Sequence, residues 1–518
     1  MECSLSTQSV ILGAVRNMDM PFNYGVDKLT VQKAMAMSRG QVKGDINASA
    51  EKVMACRKMV DQIVASERAV YGINTGFGPL CDVSISAEDT SLLQQNLILS
   101  HAVGVGDPIP QSLSRLMLIC KLQALCQGYS GVRMELLTMV QKLLDKNLIP
   151  VVPEQGSVGA SGDLAPLAHL FLPLLGEGHI WDDTKTRPTS EVYEQHGLQA
   201  ISLSAKEGLA LINGTQFILA FAIYGLDEMR YLLDLADLCG AMSLEGFQGS
   251  SSPFKEGLHA LRPYAGTSTV AARMRALLSG SANLASHKNC DRVQDPYSIR
   301  CIPQVHGASR AAYNHLTELV DIEMNSVTDN PIILSEQESI SGGNFHGQPL
   351  AMALDYATLA AAELGNISDR RCYLLLEGKY GLPRLLTANG GLDSGFMIPQ
   401  YTTAALVTEN KTLCYPASAD SIPTSLGQED HVSMGSISGR KFVQVLGNLQ
   451  KILAIELMYA AQAMEFRRPL RSSDIIEEAH ALIRSRIPKL EGDRLLHKDI
   501  DAMIDMVRDR EFNVNADI

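Results

Sequence analysis

Hydrophobic residues recur at intervals of three and four positions along most of the chain beyond about residue 110. Segments 113–127 and 133–146 both show this spacing, which is the period of an amphipathic helix. Segment 436–466 shows it throughout and predicts one long helix. Its apolar stripe consists of Phe442, Val445, Leu446, Leu449, Ile452, Leu453 and Leu457. The pattern therefore predicts helices packed on helices through most of the chain.

Shorter elements precede this helical region. The same spacing of apolar residues predicts a helix over residues 54–66. Its apolar face carries Val53, Cys56, Val60, Ile63 and Val64. The glycine-rich stretch 71–79 then predicts a loop long enough to cover or bind a ligand. Near the other end, Asp474 and Glu477 have the spacing of a capping box that opens a further helix.

These patterns predict a mainly α fold: a large bundle of long helices with a smaller mixed α/β N-terminal part. We expect the mixed domain to span residues 1–125 and the helical body to span residues 126–518. Hydrophobic residues make up 46% of the chain, which is ample for a deep core. Aromatic residues make up only 5%, so that Leu, Ile, Val, Ala and the 21 Met must fill it, which suits helix packing better than sheets.

Charge and cysteine usage exclude several classes of function. The formal net charge is −13 and no basic run occurs, which argues against a nucleic-acid or anionic-membrane surface. No apolar run reaches the length of a membrane span, and the N-terminus lacks a secretion signal. The 10 Cys form no C-x-x-C motif and the 12 His no H-E-x-x-H motif, so we expect no metal site and a cytoplasmic location with reduced thiols.

Several polar, glycine-rich loops interrupt the helical pattern, and residues 154–163 form the most unusual of them. Ala160-Ser161-Gly162 is followed by Asp163 and an apolar segment, which by itself indicates a tight turn with Asp163 as helix N-cap. The same tripeptide also allows a backbone condensation. If the chain is bent sharply, the Gly162 nitrogen can attack the Ala160 carbonyl, and loss of that oxygen and of the Ser161 hydroxyl as water leaves a five-membered ring with an exocyclic methylene.

Six segments in order support the chemical interpretation. They are YGINTGFG, GSVGASGDLAPLAHL, KEGLALINGT, QDPYSIRCIPQVHG, GGNFHG and QEDHVSMG. Together they resemble the aromatic amino-acid ammonia-lyases from about Tyr71 to Met434. The resemblance implies an electrophilic 4-methylidene-imidazol-5-one formed from Ala160, Ser161 and Gly162, with no external cofactor. It also implies an α-helical homotetramer whose active sites combine loops from three subunits.

The resemblance also implies roles for residues that, taken singly, would more often be packing, surface or ion-pair residues. Tyr71 matches the tyrosine that accepts the substrate's β-proton, and Arg300 matches the arginine that binds its carboxylate. Asn213 matches a donor to the ring oxygen. Gln294, Tyr297 and Phe345 match family residues that lie near the ring and the substrate.

Two positions bear on the substrate. Ser100-His101 occupies the position that selects the aromatic ring, where a histidine suits tyrosine as well as histidine. Glu429 favours histidine, because a carboxylate in a pocket needs a partner and an imidazole N–H is a suitable one. We therefore expect elimination of ammonia from L-histidine to give trans-urocanate, the first step of histidine degradation. Attack by the substrate's amine is preferred to attack by its aromatic ring, although the sequence does not decide between them.

Three alternatives stay open. A tyrosine or phenylalanine ammonia-lyase, or an aminomutase, would use the same scaffold. A helical lyase of the fumarase and argininosuccinate lyase type would share the long helices, but its GSS-x-M-P-x-K-x-N loop is absent. A catalytically inactive helical binding protein would not need Ser161.

Overall fold

Helices dominate the regular structure of the protein, which we describe from a computed structural model over residues 21–66, 70–78, 85–86, 89–288 and 292–516. In chain order the helices are α1 Val31–Ser38, α2 Ala50–Ala65, α3 Thr90–His101, α4 Gln111–Leu125, α5 Met134–Asp145, α6 Leu164–Phe171, α7 Thr189–His196, α8 Glu207–Ile212, α9 Gln216–Phe247, α10 Glu256–Ala260, α11 Ala265–Leu277, α12 Ala282–Ser286, α13 Tyr297–Arg300, α14 Ile302–Glu323, α15 Gln348–Leu376, α16 Met397–Leu413, α17 Gly435–Glu465, α18 Asp474–Arg486 and α19 Leu496–Arg508. The mainly α fold class is confirmed.

The strands are short and form small sheets. They are β1 Phe22–Asn23, β2 Gly44–Asp45, β3 Val105–Pro108, β4 Ile149–Pro150, β5 Pro153–Gln155, β6 His179–Asp182, β7 Lys185–Pro188, β8 Ile332–Ile333 and β9 Ser339–Ile340. β1 pairs with β2 in parallel, while β3 with β5, β4 with β6, β6 with β7, and β8 with β9 are antiparallel. These pairings fasten the connections between helices rather than forming a core sheet.

The chain divides into two units, each made of separated stretches of sequence. The first unit contains residues 1–224, 317–354 and 416–440. The second contains residues 225–316, 355–415 and 441–518. Every strand in the described ranges belongs to the first unit, which therefore has the mixed character. The domain boundary expected at residue 125 stays a prediction.

The first unit has a core built from the predicted helical faces. Val53, Cys56, Val60 and Ile63 on α2 are buried, whereas Val64 is only partly buried. The same unit buries nearly every side chain of α4, including its single lysine. From Leu116 onward the helix carries only two polar residues, Lys121 and Gln123, so this part has no polar face to expose and is enclosed.

The second unit has a core along α17. The seven residues of its predicted stripe are all buried, so that prediction is confirmed. Glu456 is fully buried on the same helix and forms an ion pair with Arg371, with Oε1 and Nε 2.5 Å apart. Its Oε1 also accepts from the Ser243 hydroxyl at 2.7 Å, and its Oε2 from the Ser368 hydroxyl at 2.6 Å. The carboxylate is thus fully supplied with donors, as a buried charge must be.

The four segments predicted to be helical correspond to α2, α4, α5 and α17. The capping box at the start of α18 is wrong, although the helix exists. Asp474 is its first helical residue, and the preceding Ser473 uses its hydroxyl on the Leu277 carbonyl instead of capping the helix. Glu477 accepts from Arg468 and from the Ser472 N–H.

None of the helices in the described ranges combines the length and the apolar character that a bilayer span requires. The N-terminal segment, for which no secretion signal was predicted, lies outside the described residues up to position 20, as does Pro79 in the glycine-rich loop.

Candidate active site

A sharply bent loop, residues 156–163, connects β5 to α6 in the first unit. Ser161 has φ of +53°, a left-handed conformation that costs a non-glycine residue about 1–2 kcal/mol. Gly162 has φ of +86°, and a Cβ built on it would lie 2.2 Å from the Gly214 carbonyl oxygen. Only glycine therefore fits at position 162, and the chain is bent at the central residue of the tripeptide.

Hydrogen bonds from two other segments hold this loop. The Asp163 N–H donates to the Gly214 carbonyl at 2.8 Å, and the Gly214 N–H donates to the Ser161 carbonyl at 3.3 Å. Farther along, the Met434 N–H donates to the Val158 carbonyl at 3.0 Å. Because the loop is held on both sides, the unusual backbone conformation of Ser161 is enforced by its surroundings.

The Asp163 carboxylate is fully buried and binds the beginning of α9. Its Oδ2 accepts from the Phe217 and Ile218 N–H groups, each at 3.0 Å. Burial raises the pKa of this carboxyl to about 7, although the two hydrogen bonds oppose the rise. Asp163 is the N-cap residue of α6, as predicted, but its side chain forms no capping hydrogen bond with that helix. Gly214 brings the free N–H groups of α9 beside the loop, and they attract the carboxylate instead.

The Ser161 hydroxyl has a single carboxylate partner. It donates to Glu429 Oε1 at 2.7 Å. The other oxygen, Oε2, accepts from the hydroxyls of Ser425 at 2.5 Å and Thr424 at 3.1 Å. These hydroxyls orient the carboxylate with its Oε1 toward Ser161. The loop thus fits the predicted ring: a bent tripeptide, an unhindered Gly162 nitrogen and an oriented hydroxyl.

A cavity of about 250 Å³ opens at the loop. It is lined by Ser100, His101, Val103, Gly156, Ser157, Val158, Ala160, Gly162, Leu164, Ala165, Thr424, Ser425 and Glu429. Two of the predicted substrate-binding residues, His101 and Glu429, therefore share one cavity with the tripeptide. The size suits a small molecule such as an amino acid.

His101 is the last residue of α3 and is half-buried. Its Nδ1 lies 2.8 Å from the Leu97 carbonyl, which can only accept, so the proton resides on Nδ1. Burial lowers the pKa of this imidazole, although the Leu97 hydrogen bond and the negative charge of Glu429 oppose the change. The neutral ring therefore keeps a lone pair on Nε2, which can accept a hydrogen bond from a ligand.

Three other predicted residues lie in the first unit but do not line this cavity within the described ranges. The Tyr71 hydroxyl accepts from the Gly78 N–H at 3.5 Å, which folds the glycine-rich loop back on itself. Asn213 is buried directly after α8 and precedes Gly214, the residue bonded to the tripeptide. Phe345 is half-buried in the turn between β9 and α15.

The remaining predicted residues belong to the second unit. Gln294 and Arg300 help to line a cavity of about 590 Å³ there. The Asp295 carbonyl accepts from Arg300 Nε at 2.9 Å, and the guanidinium carbon lies 4.3 Å from the centre of the Tyr297 ring. Tyr297 itself is 69% exposed. The arginine is thus oriented by its own loop and lines a cavity.

Sequence reasoning missed several residues that hold the site together. Thr424 and Ser425 orient Glu429, and nothing in their spacing distinguished them from ordinary loop residues. Lys121 donates to the Asn213 carbonyl at 2.5 Å. A signal for it was present, since it is the only charged residue in the apolar run LMLICKLQALC.

Comparison with known proteins shows similarity over most of the chain. The model of the aromatic amino acid lyase family matches residues 29–485. A histidine ammonia-lyase from Stigmatella aurantiaca is 48% identical over 484 residues, which cover 93% of this chain and 95% of that protein. A histidine ammonia-lyase from Symbiobacterium thermophilum is also 48% identical, over 486 residues, with 93% and 96% covered.

Solved structures share the fold over almost the whole chain. The histidine ammonia-lyase from Trypanosoma cruzi superposes with a TM-score of 0.87 at 41% identity, covering 95% of this chain and 94% of the other. The tyrosine aminomutase from Streptomyces globisporus superposes with a TM-score of 0.90 at 34% identity, covering 95% and 98%. The fold is therefore common to proteins of different activity, and the side chains at the loop have to decide the substrate.

Proposed function

Because the chain belongs to the aromatic amino acid lyase family, we propose that it eliminates ammonia from L-histidine and releases trans-urocanate, the first step of histidine degradation. One observation carries the choice of substrate: the Glu429 carboxylate lies 2.7 Å from the Ser161 hydroxyl, in the cavity that also contains His101. The similarity to several histidine ammonia-lyases supports the same choice.

The prosthetic group of this proposal is a 4-methylidene-imidazol-5-one made from Ala160, Ser161 and Gly162. When formed, it supplies a strong electrophile that no ordinary side chain offers. The bent backbone at Ser161 and the close approach of Gly162 to Gly214 support its formation here. Asn213, which precedes Gly214, would place its amide near the ring oxygen and stabilise negative charge on it.

The substrate's imidazole would be recognised by two acceptors. His101 offers the Nε2 lone pair and Glu429 offers a carboxylate oxygen; the protonated imidazolium of the substrate has an N–H for each of them, and the neutral imidazole has one N–H that suits the carboxylate. The phenol of tyrosine has one O–H to donate, and the ring of phenylalanine has none. A buried acceptor left without a donor costs about 1–3 kcal/mol, which disfavours phenylalanine most.

The remaining groups would handle the amino-acid end of the substrate. Arg300 is suited to a carboxylate because its planar guanidinium can form two parallel hydrogen bonds. We assign proton abstraction from the β-carbon to Tyr71. Tyr297 would assist at the ring, and the walls of the substrate site would be completed by Gln294 and Phe345.

We further propose a cytoplasmic homotetramer that binds neither nucleic acid nor membranes. The cysteines that the structure describes are free thiols, which supports a reducing compartment. The tetramer would bring Arg300 of one subunit to the tripeptide of another.

An aminomutase is the second candidate, because the similarity to a tyrosine aminomutase extends over 95% of the chain. Its product would be a β-amino acid rather than a conjugated acrylate.

Product analysis separates these possibilities. The purified protein is incubated with L-histidine, L-tyrosine or L-phenylalanine, and the acrylate is followed by ultraviolet absorbance while β-amino acids are followed by chromatography. We expect urocanate at the highest kcat/KM. Faster formation of coumarate, cinnamate or a β-amino acid would overturn the assignment.

Ser161→Ala tests the origin of the electrophile. We expect it to abolish urocanate formation and the near-ultraviolet chromophore, because the leaving hydroxyl is gone. In the wild-type protein, the peptide containing residues 160–162 should be lighter by two waters. An unmodified peptide in active wild-type protein would contradict the proposed prosthetic group.

A further inference from the structure

One buried charge of the first unit has no place in the proposed chemistry. Lys121 lies in the middle of α4 and is 1% exposed. Burial lowers the pKa of its ammonium to about 7. Lysine is almost never fully buried unless it is paired, yet among the described residues Lys121 donates to two carbonyls, while the Asp329 and Asp163 carboxylates raise its pKa without forming an ion pair with it. Its position therefore needs another explanation.

The partners of Lys121 are two carbonyl groups at the end of α8. Nζ donates to the Ala210 carbonyl at 3.1 Å and to the Asn213 carbonyl at 2.5 Å. A cation at the C-terminus of a helix is favourable, because the last carbonyls there lack partners. Capping of α8 is thus the purely structural account of this lysine.

The Asn213 carbonyl belongs to a peptide group that is hydrogen-bonded to the tripeptide. The Asn213 oxygen and the Gly214 nitrogen belong to one peptide group, and the Gly214 N–H donates to the Ser161 carbonyl at 3.3 Å. An ammonium on the oxygen of a peptide group withdraws electron density from it and makes its N–H a stronger donor, by roughly 10–30% per bond. The Ser161 carbonyl therefore receives its hydrogen bond from a peptide that Lys121 polarises.

The hydrogen bond to the Ser161 carbonyl oxygen matters for the reaction because this oxygen becomes part of the proposed ring. When the Gly162 nitrogen condenses with the Ala160 carbonyl, the Ala160 oxygen leaves as water and the Ser161 oxygen stays as the oxygen of the ring. Negative charge on the ring would concentrate there, because that oxygen is conjugated with the methylene. A donor to it acts as an oxyanion hole does.

We propose that Lys121 is a positioning residue that acts through the Asn213–Gly214 peptide to hold and polarise the hydrogen bond on the oxygen of the Ser161-derived ring. The inference rests on the proposed function, since it requires that the ring forms. Lys121 touches neither the substrate nor the ring. Its effect on the reaction passes through one peptide group.

Three variants test the proposal. Lys121→Met removes the charge at similar length, and Lys121→Arg keeps a charge with N–H donors. Gln123→Met is the matched control on the same helix. Its buried amide donates to the Asp27 carbonyl and accepts from the Gly25 N–H, with no connection to Ser161. Each protein is characterised by thermal melting, by the mass of the peptide with residues 160–162, by near-ultraviolet absorbance and by kcat and KM for L-histidine.

We expect Lys121→Met to lower kcat about 10- to 100-fold. This loss is smaller than the roughly 10²–10³-fold loss on removal of a direct oxyanion donor, because Lys121 acts through the intervening Asn213–Gly214 peptide. KM should stay within about twofold, since substrate binding is untouched. The near-ultraviolet band should shift, or the two waters should be lost incompletely. Lys121→Arg should restore most of the activity, and Gln123→Met should lose stability while it keeps the native spectrum and kcat.

The opposite pattern would overturn the inference. If Lys121→Met melts at a lower temperature but keeps the native kcat and absorbance, the lysine only caps α8. If Lys121→Met does not fold, Lys121→Gln replaces it, because its amide can still donate to the carbonyls without the charge. A native kcat in Lys121→Gln would then refute the role of the charge, and a reduced one with native KM would support it. A wild-type peptide without any loss of water would instead refute the proposed prosthetic group.

Discussion

One oxygen of the Glu429 carboxylate accepts a hydrogen bond from the Ser161 hydroxyl, and the other accepts from the hydroxyls of Thr424 and Ser425. Glu429→Gln keeps the size of the side chain but replaces the charged acceptor with a neutral amide. We expect kcat/KM for L-histidine to fall about 100-fold, because a hydrogen bond to a charged partner contributes about 1.5–3 kcal/mol. Steady-state kinetics by urocanate absorbance measure this change.

Asp430→Asn is the control for Glu429→Gln, because it removes the neighbouring carboxylate, which is exposed and does not line the cavity. Its kcat/KM should be native. Equal losses in both variants would show that Glu429 acts only through the general charge of the loop. A native value in Glu429→Gln would remove the basis for histidine selectivity.

Gly162 is the second residue whose identity is dictated by its surroundings. A Cβ at this position would lie 2.2 Å from the Gly214 carbonyl oxygen, and φ is +86°. Gly162→Ala should therefore push the loop away from Gly214 and prevent ring closure. Mass analysis of the peptide with residues 160–162 should show no loss of water. Gly257→Ala is the control, because a Cβ there meets nothing within 4 Å. A fully dehydrated Gly162→Ala peptide would contradict this account.

At the scale of elements, the sequence was most informative where one face of a helix is buried. The stripe of α17 is visible from the spacing of Phe442, Val445 and Leu449 alone, since burial selects apolar residues at that period. The start of α18 was not predictable in detail. Whether Ser473 caps the helix or binds the Leu277 carbonyl depends on α11, which is nearly 200 residues away and leaves no mark in the local pattern.

In the candidate site, too, some features could be predicted from the sequence and others could not. The tripeptide by itself predicted a tight turn as readily as a ring, and it was recognisable because it lies among six ordered segments that resemble the aromatic amino-acid ammonia-lyases; His101 and Glu429 do line one cavity with it. The partner of the Asp163 carboxylate was not recognisable. Local sequence favours capping of α6, whereas the fold offers the N-terminus of α9 through Gly214, a contact that only the tertiary structure creates.

Asp237 on α9 connects three helices of the second unit. It accepts from Arg273 on α11 at 2.7 Å, and from Arg310 at 2.5 Å and His306 at 2.8 Å on α14. Burial by itself would raise the pKa of this carboxyl, but the His306 hydrogen bond and the arginine charges lower it to about 2. Asp237→Asn should therefore destabilise the protein at pH 7 by about 2–3 kcal/mol, because it removes one of the two carboxylates that Arg273 and Arg310 share, the other being Asp234.

The effect of pH on this carboxylate has a definite sign. Its folded pKa of about 2 lies below the unfolded value of 3.8, so ionisation stabilises the fold above pH 3.8 and ceases to do so as the pH falls to 2. The difference in unfolding free energy between wild type and Asp237→Asn should shrink by about 2 kcal/mol over that window. Urea unfolding followed by circular dichroism at pH 7, 4, 3 and 2 measures it. A constant difference would refute the pKa argument.

At the scale of the whole molecule, the proposed tetramer explains why apolar side chains stand exposed near Arg300. Val293 is 98% exposed and Tyr297 69% exposed, although both flank an arginine assigned to substrate binding. Exposed apolar groups clustered around polar residues are typical of surfaces that another chain covers. A site completed by a neighbouring subunit would place Tyr297 and Arg300 against the ring-forming loop of that neighbour.

Subunit complementation tests this arrangement. Ser161→Ala subunits lack the electrophile and Arg300→Ala subunits lack the carboxylate-binding guanidinium, so each homotetramer should be nearly inactive. When the two are co-expressed with different affinity tags and mixed oligomers are isolated, some sites combine an intact Ser161 from one subunit with an intact Arg300 from another. If these two residues come from different subunits that mix at random, about one quarter of the sites should be intact. Mixed oligomers as inactive as their parents would show that Ser161 and Arg300 of each site belong to the same chain, because a subunit of either type would then always lack one of them.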